Sequence, residues 1–168
     1  DKLMQPGKVY WIYSHYERFM VGSAVPTDSP LALETLDALK AEHFLDRREL
    51  GIINVGGDGT VVADGEEFAL AAEEALYLAK GNKSVTFYSN DPAKPAKFYL
   101  NSAPAHHAFT NKKIGREDAK VLHLGSQETS NERDINQLMI NTVVETCQLQ
   151  MGLTRLNPGS VWNTIPAH

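Results

Sequence analysis

An all-β sandwich or barrel is the fold class that this sequence predicts, and three observations predict it. Apolar residues recur mainly with period two. Turn chemistry interrupts them at intervals of about 8 to 12 residues. Only one stretch carries helix signals. No internal repeat and no low-complexity tract breaks the pattern.

The elements follow in order. Val9, Trp11 and Tyr13 alternate with Tyr10, Ile12 and Ser14, and Arg18 to Val25 is again β-like. Ser29 is placed to cap a helix, Pro30 suits its first position, and Leu33, Leu36, Leu39 and Lys40 follow at helical spacing, so one short helix is expected over residues 30–41. Strands return from Phe44. Leu50 to Val55 is an apolar run closed by Gly56-Gly57-Asp58-Gly59. Thr60 to Ala63 and Glu67 to Leu70 flank Asp64-Gly65, the best hairpin signal in the chain. Ala75 to Ala79, Ser84 to Ser89 and Lys97 to Ser102 read as strands, residues 103–120 as loop, and Ile135 to Ile140 and Glu145 to Leu156 as two later strands.

Composition narrows the function. Sixteen Lys and Arg against 21 Asp and Glu leave a net charge of −5, which argues against nucleic acid and anionic membrane surfaces as partners. At 42% hydrophobic and 22% charged residues the chain can bury a core, and no apolar run is long enough to span a bilayer. Cys147 is the only cysteine, so an internal disulfide and a cysteine-based zinc site are both excluded, and a reducing compartment, the cytoplasm, is expected.

Several motifs invite a chemical reading. Gly56-Gly57-Asp58-Gly59-Thr60 resembles the loop of NAD and diacylglycerol kinases, but such phosphate loops open a helix, and here a strand and a hairpin follow. A nucleotide phosphotransferase rests on that loop alone. His106-His107 lies in a loop with Lys112, Lys113 and Arg116, which could rim an anion pocket or be solvated. Arg48 and Glu49 open a strong strand and must face opposite sides of it; one could point into a barrel and need a partner, or both could be surface charges. Cys147, on what reads as an apolar strand, is expected to be a buried, inert thiol.

Longer stretches carry a resemblance. They are Tyr13-Ser14-His15 with Arg18; Arg47-Arg48-Glu49-Leu50-Gly51-Ile52-Ile53-Asn54-Val55-Gly56-Gly57; Pro95 to Tyr99 and on through Pro104-Ala105-His106; Ser130-Asn131 with Arg133 and Ile135; Glu145 to Leu149 with Met151 to Thr154; and Gly159 to Thr164 with Pro166 and His168. From about Val9 onward the chain resembles the family of 5-keto-4-deoxyuronate isomerases. The resemblance implies two cupin barrels in one longer chain, assembled as homohexamers, acting in pectin and uronate breakdown. The fold class then becomes a cupin-like antiparallel barrel, or jelly roll, plus the first strands of a second cupin barrel. Residues 1–120 would form an N-terminal barrel lacking metal ligands, with Lys83 about where a cupin histidine would fall. Residues 121–168 would be a linker and the start of the second, catalytic barrel, truncated here.

By the same resemblance, His168 is the first ligand of one zinc ion per subunit, the other ligands lying past this chain, and the 168-residue chain alone is expected to be inactive. The implied reaction is a ketol isomerisation of 5-dehydro-4-deoxy-D-glucuronate to 3-deoxy-D-glycero-2,5-hexodiulosonate. A divalent ion suits it by stabilising charge that develops on the enediol oxygens. The resemblance names neither the general base nor the partner of the uronate carboxylate. The alternative is a non-catalytic β-barrel module for assembly or sugar binding.

Overall fold

The computed structural model describes residues 3–161. The architecture is all-β and antiparallel, a cupin-like barrel of two sheets with a third sheet laid against it. The strands are β1 (Val9–Tyr13), β2 (Met20–Ala24), β3 (Leu31–Ala32), β4 (Arg48–Asn54), β5 (Gly59–Ala63), β6 (Glu66–Leu70), β7 (Ala75–Leu78), β8 (Val85–Ser89), β9 (Phe98–Pro104), β10 (Lys112–Ile114), β11 (Lys120–Leu124), β12 (Arg133–Met139) and β13 (Met151–Leu156). One sheet runs β1-β2-β9-β4-β7-β10, the second β3-β8-β5-β6, and the third β11-β12-β13. Among the described residues no helix is long and apolar enough to cross a membrane.

The central strand β4 explains why its sequence is a continuous apolar run. All seven of its residues are buried, because both faces of its sheet are covered. Leu50 and Ile52 face the barrel interior, where Met20, Val61, Leu76, Leu78, Phe87, Phe98 and Leu100 pack, with the Phe87 and Phe98 rings 5.5 Å apart. Ile53 faces the other way, into a second core with Tyr77, Ile114, Leu138, Met139 and Met151. Gly51 also lies under this second layer. A Cβ there would run into the sulfurs of Met151 and Met139, so a side chain at this position would have to displace the ends of these two flexible side chains.

The Asp64-Gly65 turn is where the hairpin signal placed it. Ala63 pairs with Glu66, and both turn residues have positive φ, 48° and 89°, the geometry that matches the twist of a two-residue hairpin. The Asp64 carboxylate accepts from the backbone N–H groups of Ser84 and Lys83, and these bonds hold its pKa below the usual value.

Three expectations are corrected. No helix spans residues 30–41. Leu31 and Ala32 pair with Phe87 and Thr86 at the edge of the second sheet, the Leu33 N–H donates to the Val85 carbonyl, and only Asp37–Leu39 form a single 3-10 turn, ended by Lys40 in a left-handed conformation. Covering a sheet edge outweighed a local helical signal. Residues 103–120 are not all loop, since Lys112–Ile114 pair with β7. The expected strand from Glu145 begins only at Met151, and β11 is an additional strand paired with β12.

Candidate functional site

Arg48 and Glu49 are the most unusual residues of the described chain. Both are buried, at 5% and 0% exposure, and the pleat of β4 sends them to opposite faces of one sheet. Neither forms an ion pair among the described residues. Surface charge at a strand edge is thereby excluded for both.

The Glu49 carboxylate is satisfied by neutral donors. The Tyr77 hydroxyl donates to Oε2 at 2.8 Å, and so does the Cys147 backbone N–H at 2.8 Å. The N–H groups of Gln148 and Leu149 donate to Oε1 at 2.7 and 2.9 Å. Three successive amides of the turn before β13 thus close on one acceptor-only group. This is why residues 147–149 are not part of a strand: their backbone donors serve Glu49 instead of a ladder. Burial, reinforced by the bond to Glu49, drives the Tyr77 phenol well above its ordinary pKa.

Arg48 points into the barrel end. Its Nε donates to Ser102 Oγ at 3.0 Å, and its Nη2 donates to the carbonyls of Ser102 at 2.8 Å and Arg18 at 2.7 Å. Its guanidinium lines a cavity of about 270 Å³ at the mouth of the barrel, where β1 ends and β4 begins, beside Tyr13, Arg18, Lys40, Phe44 and Arg47.

Thr60 lies within β5, so the Gly56–Thr60 loop is a turn between strands and has no helix to supply an anion site. His107 and Lys112 share an open cavity of about 460 Å³ with Asn141 and Glu145, but His106 does not line it. Lys113 pairs instead with Glu74 at 2.9 Å, and Arg116 lines a separate cavity beside Glu73 and Arg155. The loop cations are therefore dispersed. Cys147 is half-buried on the Glu49 turn, not on a strand, and its Sγ donates to the His107 carbonyl at 3.3 Å. His168 lies outside the described residues. Among the described residues no three His, Cys, Asp or Glu side chains come together to hold a metal ion, so residues 3–161 do not fit a zinc centre.

Sequence reasoning did not find the cation-lined mouth. Arg18, Lys40 and Arg48 lie on three different segments, and only the paired Arg47-Arg48 was a visible signal.

Comparison with known proteins gives a consistent picture. The profile of the KduI/IolB family matches residues 2–168. The chain is 56% identical to the 4-deoxy-L-threo-5-hexosulose-uronate ketol-isomerase of Formosa agariphila, over all of this chain and 60% of that protein. It is 52% identical to the 4-deoxy-L-threo-5-hexosulose-uronate ketol-isomerase 1 of Bacteroides thetaiotaomicron, with the same coverage. The chain thus spans about 60% of the length of these relatives. The crystal structure of an IolB-like protein from Salmonella typhimurium is similar with a TM-score of 0.62 at 15% identity, over 84% of this chain and 53% of that one, a likeness of fold.

Proposed function

The chain belongs to the KduI/IolB family, and from that membership we propose that the protein is a ketol-isomerase that converts 5-dehydro-4-deoxy-D-glucuronate to 3-deoxy-D-glycero-2,5-hexodiulosonate. The observation that carries the reading is 56% identity, across all 168 residues, to a relative that bears the ketol-isomerase name. The reaction moves a proton between adjacent carbons and needs a general base near neutral pH. We assign residues 3–161 an architectural part. Glu49 holds the turn at residues 147–149 against the barrel, and that turn leads directly into β13.

The finer reading places residues 1–120 in an N-terminal barrel and residues 121–168 at the start of a second one. It makes His168 a zinc ligand and the protein a cytoplasmic homohexamer in uronate breakdown. Its support is the run of motifs ending in Pro166 and His168, taken together with the family membership.

An isomerase assay on the intact protein, run beside metal analysis, tests the reading. Conversion of the 5-dehydro uronate with about one zinc per chain is expected, and His168→Ala should remove both. Absence of isomerase activity in the intact protein overturns the function. Unchanged zinc content and activity after His168→Ala overturn the metal assignment alone.

A further inference from the structure

We propose that the mouth of the barrel, around Arg48, is a binding site for a small oxyanion. Four cationic side chains, Arg18, Lys40, Arg47 and Arg48, line one cavity of about 270 Å³, and no acidic side chain lines it. Arg48 is the decisive member. It is 95% removed from solvent, yet its three hydrogen bonds all go to neutral acceptors and none to a carboxylate. A buried guanidinium without a counter-charge is costly, and its Nη1 has no hydrogen-bond partner among the described residues. An anion in the cavity would supply both the charge and the acceptor.

The surrounding backbone is shaped for the same purpose. The turn between β1 and β2 holds His15, Glu17 and Arg18 at φ of 62°, 48° and 54°, and Lys40 sits at 46°, all in the left-handed region that side chains rarely adopt. Each strained turn is gripped by one arginine of β4 or its approach. Arg48 Nη2 holds the Arg18 carbonyl, and Arg47 Nη2 holds the Leu39 and Lys40 carbonyls at 2.8 and 2.6 Å. The two arginines therefore fix the turns that bring Arg18 and Lys40 to the rim. Burial lowers the Arg48 pKa, Tyr13 opposes that shift, and Arg18 adds to it. Tyr13 and Phe44 give the cavity an aromatic wall, which suits a small organic acid as well as an inorganic oxyanion.

Phenylglyoxal modification of the intact protein, read arginine by arginine by peptide mass mapping, tests the site. Arg18 and Arg47 are exposed reporters at the rim, and the exposed Arg116 is the internal control. Glucuronate and phosphate are compared with chloride at equal ionic strength. At ten times its dissociation constant a bound oxyanion should slow modification of Arg18 and Arg47 about tenfold while Arg116 is unaffected. Protection by glucuronate alone assigns the site to carboxylates, by phosphate alone to phosphoryl groups, and by both to oxyanions at large. In Arg18→Gln/Lys40→Gln, whose altered side chains are exposed and whose melting temperature should be unchanged, the protection of Arg47 should disappear. Equal protection by chloride overturns the proposal, as does unchanged protection in the double variant. So does the absence of protection, including the case in which Arg18 and Arg47 are unreactive in the intact protein with every salt.

Discussion

Arg48 and Glu49 are neighbours on β4, yet they carry opposite charges to opposite faces of the same sheet, and the two burials are solved differently. Arg48 ties the barrel mouth together through carbonyl and hydroxyl oxygens. Glu49 ties the third sheet to the barrel through amides and a phenol. The single strand therefore anchors both halves of the described chain.

Glu49→Gln should destabilise the fold by about 2–4 kcal/mol in urea unfolding. The volume is kept, but one acceptor oxygen becomes an NH2 group facing donors, and at least one buried N–H of residues 147–149 loses its partner. A loss below about 0.5 kcal/mol would mean that the carboxylate is not what holds this turn. Tyr77→Phe should cost less, about 1 kcal/mol, because three of the four donors to Glu49 remain.

Tyr77 also sets an alkaline limit. Its folded pKa is raised, by burial first and by Glu49 second, so the fold favours the neutral phenol. The stability that follows is complete below the unfolded value of about 10 and drains away as the pH rises beyond it. Spectrophotometric titration should show one tyrosine ionising only together with unfolding, and Tyr77→Phe should abolish that step.

Glu74 sets an acid limit with the opposite sign. Burial raises its carboxyl, but the Lys113 ammonium at 2.9 Å and the Ala71 N–H outweigh it and leave the pKa lowered. The contribution is present above the unfolded pKa and is lost as the pH falls through the folded one. In Glu74→Gln the melting temperature should fall less steeply on acidification than in the unaltered protein. Identical slopes would remove Glu74 from the account.

Two glycines separate rigid from yielding surroundings. A Cβ at Gly59 would lie 2.5 Å from the Tyr88 carbonyl, 2.6 Å from Ala96 Cβ and 2.8 Å from the Phe98 ring. At Gly51 it would meet the ends of two methionine side chains. Gly59→Ala should therefore cost about 3 kcal/mol, and Gly51→Ala about 1–2 kcal/mol, since Met151 and Met139 can swing aside. Thermal unfolding that ranks them the other way would show that the methionines are locked.

The hairpin at Asp64-Gly65, the strands flanking it and the buried run from Leu50 were legible in the sequence, because each is set by chemistry within a few residues: left-handed turn positions, period-two alternation and unbroken apolarity. The half-burial of Cys147 on a turn was not legible, because its place is set by the amides that Glu49 collects and not by an apolar strand. Long-range pairing decided the rest. Leu31 to Leu33 became an edge against β8 although their spacing signalled a helix, because an open sheet edge offers hydrogen bonds that a short isolated helix cannot match. Residues 147–149 left the strand pattern because a carboxylate about a hundred residues earlier in the chain collects their N–H groups. The meeting of Arg18, Lys40, Arg47 and Arg48 at one cavity has no local signature at all. It follows from the registers that set the end of β1 and the start of β2 level with the end of β9 and the start of β4, and only the folded chain brings those charges together.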